Sequence, residues 1–385
     1  MRIFFLYYEY DPRVKGGMGG FSHVWQLAKN WSALGHEVIV FSPTTGPADY
    51  ATPAVVVRVP ALPLPFLRPL SVYCFSFVWA LFFAFRKKAD LLYVRDMFSP
   101  LIALLSRIMG ALLFIELNGD ALQGETGMLR RSWIRMTQRL NFSLAKRVVT
   151  VTEGLRQTII QKYELNGRRV VTLPNGADTE LFFPRDKAQC RRTLDLPEDA
   201  PIVGFVGTFY NYQGIDILIR AAPAILGVFP KTLFLMVGDG VERKRWEAMT
   251  KEQGVGAAFL FTGQVPYERV PLYINAFDVA VTPFRSFRGE TSPLKLMDCW
   301  ACATAVVSAD IPSLQSFKTG EAIAMFVTPD DPQALKDGIV ALLSDRGRLE
   351  RLGQAGLHYV LDGRTWKDVA RQILLEFDTA RLERI

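Results

Sequence analysis

The chain is poor in cysteine and histidine, with four Cys and three His in 385 residues. So few cysteines cannot frame a disulfide scaffold, and Cys74 and Cys190 stand alone. Cys299 and Cys302 have C-x-x-C spacing, but no second pair or histidine cluster accompanies them. They read as two small residues on a buried helix, not as zinc ligands. A reducing, cytoplasmic setting is expected. No G-x-x-x-x-G-K-[ST] occurs, which argues against a P-loop NTPase, and no D-x-D occurs, so nothing supports a metal-bridged diphosphate. Repeats and low-complexity tracts are also missing. The first 13 residues, MRIFFLYYEYDPR, lack a positive n-region and place Glu9 and Asp11 directly after the apolar run. They read as a first strand, not as a signal peptide.

What is present is a regular alternation of apolar strands and amphipathic helices. Strands are expected at Ile3–Tyr7, Val38–Phe41, Val55–Val59, Leu91–Val94, Leu112–Leu117, Val148–Val151 and Val170–Leu173. A second series runs through Ile202–Val206, Leu233–Val237, Phe259–Thr262, Val279–Thr282, Thr304–Val307 and Ala324–Val327. Strands alternating with helices give parallel sheets covered on both faces. The expected fold is therefore α/β, with two Rossmann-like doubly wound domains facing a central cleft. The boundary falls in 173–201, which holds four prolines, an Asn-Gly turn and many charges. Domains are placed at 1–178 and 179–365, with a long amphipathic helix at 366–385.

Net charge is +7, divided as +9 over residues 1–178 and −2 over 179–385. A basic first half favours an anionic partner, unless the surface is merely solvated. Val72–Phe85 is 14 residues without a charge, followed by Arg86, Lys87 and Lys88. It is too short to span a bilayer, where ~20 apolar residues are needed. Two readings stand: a buried core helix, with a slight edge, or a helix lying in the bilayer interface. Arg131, Arg135 and Arg139 repeat every four residues beside Arg130, forming one basic face.

Two segments carry chemistry. In KGGMGGFSHVWQLAKNWSALGHEV (15–38) a strand gives way to a glycine-rich turn and a helix, where backbone amides can meet an anion. The dinucleotide pattern G-x-G-x-x-G fails, because position 22 is Ser, which argues against NAD. In FRSFRGETSPLKLMDCWACATAVV (284–307), Ser292 is read as an N-cap and Pro293 as the first helical residue. The amides of Leu294 and Lys295 then open toward a ligand beyond a strand's carboxyl end. Lys295 in a first turn opposes the helix dipole, which makes sense if a bound anion joins both. Arg285, Arg288, Glu290 and Asp298 surround that turn in sequence. A diphosphate flanked by sugar hydroxyls would satisfy them all, against the blander reading of surface salt bridges.

These residues resemble the family-4 retaining glycosyltransferases of the GT-B fold, over nearly the whole chain. The matching elements are Gly19-Gly20, Gly35-His36-Glu37-Val38, Pro174-Asn175-Gly176-Ala177-Asp178 ending at Phe182, Val237-Gly238-Asp239-Gly240, Phe261-Thr262-Gly263-Gln264-Val265, and Glu290-x7-Asp298 around Pro293-Leu294-Lys295. The resemblance implies that Glu290 contacts donor-sugar hydroxyls, Lys295 the diphosphate and Asp298 the ribose. Backbone near Gln264 and Val265 lies by the base, and Gly19 and Gly20 approach the phosphates. It further implies transfer of a hexosyl unit from a nucleoside-diphosphate sugar to a glycan or lipid-linked acceptor in polysaccharide synthesis. No metal, cofactor or nucleic acid is involved, and peripheral contact with an anionic membrane is one reading of the basic half. The C-terminal helix is expected to cross back to the first domain.

Three departures stand out. The family's G-R-x-x-x-x-K-G has Thr208 and Gln213 between Gly207 and Gly214, so two phosphate cations are missing and Arg285 and Arg288 are the candidate replacements. Asp298 stands for Glu. A family His is Asn118, which can hydrogen-bond but not shuttle a proton, leaving Asp120 and Glu116 as acceptor-side candidates. Alternatives from other classes are a non-catalytic nucleotide-sugar or glycan-binding module, an epimerase and a phosphorylase; a pyridoxal-phosphate lysine, which a phosphorylase would need, has no particular signal.

Overall fold

The computed structural model describes residues 1–8, 18–43, 52–62, 64, 67–95, 97–123, 125–290, 292–318, 320 and 322–383. Gly16 and Gly17 of the first motif, and Glu9 and Asp11, lie outside the described residues. Two compact units emerge. One contains 1–175, 289–292 and 366–385; the other contains 176–288 and 293–365. The short segment 289–292, expected in the second domain, therefore groups with the first.

The first unit runs β1 (Arg2–Tyr7), α1 (Met18–Ala33), β2 (Glu37–Ser42), β3 (Val55–Arg58), α2 (Leu67–Arg86), β4 (Leu91–Arg95), α3 (Leu101–Met109), β5 (Leu112–Leu117), α4 (Met128–Leu144), β6 (Arg147–Thr150), α5 (Glu153–Tyr163) and β7 (Val170–Thr172). Its seven strands pair in parallel in the order β3-β2-β1-β4-β5-β6-β7. Runs such as LLYVR and LLFIEL, apolar but for Arg95 and Glu116, form β4 and β5, buried along their whole length, because helices cover both faces. Phe4, Leu6, Leu92, Val94, Leu113 and Ile115 build one core with residues of α2 to α5. On the opposite face Phe5 and Tyr93 pack on Trp31 of α1. The strand at Val55, expected to be buried, is instead the exposed edge of the sheet.

The second unit contains α6 (Lys187–Thr193), β8 (Ile202–Val206), α7 (Ile215–Val228), β9 (Leu233–Val237), α8 (Arg243–Glu252), β10 (Phe259–Gly263), α9 (Val270–Ala276), β11 (Val279–Thr282), α10 (Leu294–Ala301), β12 (Ala305–Ala309), β13 (Met325–Val327), α11 (Pro332–Ser344) and α12 (Arg346–Leu361). Its sheet is parallel with order β10-β9-β8-β11-β12-β13. Helix starts follow local chemistry. Asp331 accepts from the amides of Gln333 and Ala334 ahead of Pro332 at the first helical position, and Asp345 caps α12 in the same way. Cys299 and Cys302 are both buried in the core under α10.

The last helix, α13 (Trp366–Leu382), returns to the first unit and packs on α1. Trp31 Nε1 donates to Ala370 O at 3.1 Å. Arg147, almost fully buried, reaches Glu376 through Nε at 2.7 Å and Glu383 through Nη1 and Nη2 at 2.9 Å each. Arg147→Met should lower the unfolding free energy by about 1.5 kcal/mol, the low end for charge-assisted bonds because Glu383 is half exposed. Urea denaturation checks this; an unchanged midpoint would mean that the apolar face alone holds α13.

Candidate functional site

In the second unit the site grows from the turn that follows β8. Gly207 has φ +137°, and a Cβ there would stand 2.5 Å from Lys295 Nζ, so only glycine lets the ammonium lie against this backbone. Thr208 follows it, half-buried. Gly214, at φ +72°, holds the next turn so close to Pro283 that a Cβ would meet its carbonyl oxygen. The 207–214 turn and the loop after β11 are thus locked together.

Lys295 lies in the first turn of α10. Its Nζ donates to Gln213 Oε1 at 2.9 Å and stands 3.9 Å from the centre of the Phe205 ring. Arg288 places its guanidinium 4.0 Å over Phe284 and 4.9 Å from Tyr212, and its Nε and Nη1 are sealed from solvent without a hydrogen-bond partner. Among the described residues neither cation forms an ion pair. Enclosure and the neighbouring Arg288 charge pull Lys295 well below the ordinary lysine pKa. Enclosure likewise lowers Arg288 to about 10, still charged at neutral pH. Cation–π contact offsets part of the desolvation, but the pair lacks an anion.

Gln213, which looked like a lost phosphate cation, is therefore the residue that orients Lys295. Arg285 does not join the free cations. Its Nη2 is ion-paired with Asp216 and its Nη1 lies 2.9 Å from Asp330 Oδ1, so it pins the loop that carries Arg288. Asp298 follows Lys295 by one helical turn, and enclosure together with Asp178 pushes its carboxyl well above the usual carboxylate range. Gln264 is exposed and Val265 half-buried, directly after the φ +73° turn at Gly263. Leu294 is the first residue of α10, and the position before it is Pro293.

Ser292 is not the cap. Its Oγ accepts from the Asn175 amide at 3.2 Å, and its carbonyl accepts from Asn175 Nδ2 at 2.7 Å. The Pro-Asn-Gly turn thus competes successfully for the hydroxyl that the helix was expected to use. Glu290, in the same short segment, sits at the start of α5, where Thr152 Oγ1 donates to Oε2 at 2.7 Å. A Cβ on Gly154 would lie 2.4 Å from its Oε1. The helix dipole favours a carboxylate there. Gly119 lies close to the Glu290 carbonyl, so the turn after β5, with half-buried Asn118 in it, lies against this segment. Gly19 and Gly20 are in the first turn of α1.

Two acceptor-side candidates are already engaged. Asp120 is ion-paired with Lys162 at 2.7 Å. Glu116 is fully buried: it accepts from Tyr93 OH at 2.6 Å, forms an ion pair with Arg95, and lies 2.8 Å from His23 Nε2. Burial opposes ionisation, yet the His23 and Arg95 charges and these hydrogen bonds hold Glu116 at about 2. It is a fixed anion rather than a base. His23 Nδ1 lies 2.7 Å from Asn175 Oδ1, and its ring packs edge-on to Trp366. Sequence reasoning missed this network. The one available signal was a charged pair, Arg95 and Glu116, at the ends of adjacent apolar runs. Glu116→Gln should cost about 3–5 kcal/mol at neutral pH, since it breaks the buried ion pair with Arg95. A depressed carboxylate stabilises above its ordinary pKa, so the gap to wild type should narrow as pH falls from 4.5 toward 2. Denaturant midpoints across that window check it; a constant gap would mean that Glu116 is not held ionised.

Comparison with known proteins fits this geometry. Residues 18–181 match the family model described as Glycosyltransferase Family 4, and residues 186–358 match that of Glycosyl transferases group 1. The D-inositol 3-phosphate glycosyltransferase of Acidothermus cellulolyticus is 30% identical over 223 residues, which is 56% of this chain and 49% of that protein. The chain therefore spans about half the length of the curated relatives it matches. Among solved structures, sucrose-phosphate synthase from Thermosynechococcus elongatus superposes with TM-score 0.81 at 22% identity, covering 99% of each chain. HepE of Anabaena, solved in complex with UDP, superposes with TM-score 0.78 at 17% identity, covering 98% of this chain and 100% of that one. Both parallel sheets, their order and the two family matches lead to one assignment: the chain belongs to glycosyltransferase family 4 and has the GT-B fold.

Proposed function

We propose that the protein is a retaining hexosyltransferase that moves a hexosyl unit from a nucleoside-diphosphate sugar to a glycan or lipid-linked acceptor, without a metal, in the synthesis of a cell-surface or extracellular polysaccharide. The observation that carries this reading is the pair Lys295 and Arg288, two enclosed cations with no ion-pair partner among the described residues. A diphosphate supplies what they lack: two negative charges and acceptor oxygens for the Lys295 ammonium and the Arg288 guanidinium. The open amides of Leu294 and Lys295 add donors at a helix start. HepE, which shares the fold, was solved with UDP and with UDP-glucose, which supports a UDP-sugar donor here.

In the reaction, the bond between sugar C1 and the diphosphate oxygen breaks. The acceptor oxygen bonds C1 on the same face, and its proton passes to the departing phosphate oxygen. No protein base is then required, in keeping with Asp120 and Glu116 both being engaged. The work of the chain is to hold the diphosphate as negative charge develops on it. Glu290 and Asp298 serve sugar and ribose hydroxyls, and a carboxyl shifted upward, as in Asp298, can donate as well as accept.

A non-catalytic sugar-nucleotide sensor remains the second reading, favoured by Thr208 and Gln213 standing where the family carries cations. It predicts binding without turnover. Lys295→Ala should reduce kcat by about 100-fold, the scale for losing one stabilising donor, with the melting profile retained. Near-normal turnover would refute the role of Lys295. A second measurement concerns the metal: dialysis against EDTA should leave the transfer rate unaltered, and loss restored by a divalent cation would overturn the metal-free reading.

A further inference from the structure

Helix α2 is covered by the protein on one side only. Its sequence, LRPLSVYCFSFVWALFFAFR, would bury its large side chains in an ordinary α/β layer. Its fully buried residues are Ser71, Val72, Ser76 and Ala80, and Tyr73, Phe77, Leu81 and Phe83 pack half-buried against the same core. Leu67, Leu70, Phe75, Val78, Trp79, Phe82 and Phe85 face solvent, with Phe85 81% exposed. The helix is 20 residues long, six more than the uncharged stretch suggested, because it starts at Leu67 and ends at Arg86. One side of α2 joins the core, as the core reading expected, while the opposite side is uncovered among the described residues.

The neighbouring helices continue the pattern. α3 touches α2, and α4 touches α3. All three cover the same sheet face, since Val72, Ile102, Leu105 and Phe142 share one core. On the outside, α3 exposes Leu104 and Ile108, one helical turn apart. α4 exposes Met128, Leu129, Trp133, Met136 and Leu140, and Leu129 is 88% exposed. Contiguous exposed apolar surface on this scale marks an interaction site.

Charge identifies the occupant. None of the three helices contains an acidic residue. Arg86, Lys88, Arg107, Arg135 and Arg139 are exposed on or beside them, and none is in an ion pair among the described residues. The expected basic face is smaller than its spacing implied. Arg131 donates to the carbonyls of Leu122 and Glu125, and Arg130 pairs with Glu125. A second copy of this face would bring like charges together around the apolar centre. An anionic bilayer complements both features, taking aromatic and aliphatic side chains below the headgroups and guanidinium and ammonium groups among the phosphates. Spanning is not the geometry, because Ser71, Val72, Ser76 and Ala80 keep one side of α2 in the protein core.

We propose that the outer face of α2, α3 and α4 docks in the interface of an anionic lipid bilayer, with α2 parallel to the membrane plane. The inference does not rest on the proposed reaction, because vesicle binding is read without turnover. The test is flotation of the full chain with vesicles of phosphatidylcholine containing about one-third phosphatidylglycerol, beside vesicles of phosphatidylcholine alone. The expected result is at least tenfold tighter binding to the anionic vesicles, weakened by salt. It should also fall at least tenfold in the variant L70S/V78S/F85S, and separately in R135Q/R139Q. Brominated acyl chains should quench the fluorescence of Trp79 and Trp133 in the wild-type protein, which reports insertion even if a variant fails to fold. Equal affinity for both vesicle types, absence of quenching, or a dimer in solution that L70S/V78S/F85S converts to monomer would each overturn the proposal.

Discussion

Two cations that form no ion pair among the described residues, Lys295 and Arg288, are the constraint around which the second unit is arranged. Removing charged groups from water is costly unless a counter-charge arrives, and here the chain supplies only partial compensation. Phe205, Phe284 and Tyr212 offer ring faces, and Gln213 offers one amide oxygen. The surrounding parts hold that arrangement in place. Gly207 leaves room for the ammonium, Gly214 lets the turn close on Pro283, and Arg285, tied to Asp216 and Asp330, pins the loop that carries Arg288. A bound anion would supply the counter-charge that the chain itself does not, which is why the proposed donor site is placed here.

The first unit treats its charges in the opposite way. Glu116 joins Arg95, Tyr93 and His23 in full burial at the ends of β4 and β5. His23 reaches Asn175 and packs on Trp366, and Asn175 holds Ser292. Asn175, Ser292 and Trp366 each stand where the chain enters or leaves this unit. The network therefore fixes those three points to the sheet. The buried charges of the first unit are thus paired with one another, whereas Lys295 and Arg288 of the second form no ion pair among the described residues.

Much of this was legible in the sequence, for reasons that also explain the failures. The thirteen strands among the described residues lie where apolar runs placed them, in most cases because strands buried on both faces tolerate few polar residues. The boundary of β4 slipped by one residue, since Arg95 reads as a strand end while the structure buries it against Glu116. Ser292 carried a local capping signal that a partner 117 residues away overrode. Asp120 looked like a free acid because Lys162, 42 residues on, is invisible to local reasoning. The uncharged run 72–85 left open which side of α2 would be covered, as composition is the same all round it and only the fold sets which half meets the core.

The central claim is that Lys295 and Arg288 await a diphosphate. Calorimetric titration with UDP and with uridine, on wild type and on Arg288→Ala, tests it most directly. The account predicts that UDP binds the wild-type protein far more tightly than uridine does, and that Arg288→Ala weakens UDP at least tenfold, about 1.4 kcal/mol, while leaving uridine unchanged. Equal affinities for UDP and uridine, or an Arg288→Ala protein that binds UDP as well as wild type, would contradict it.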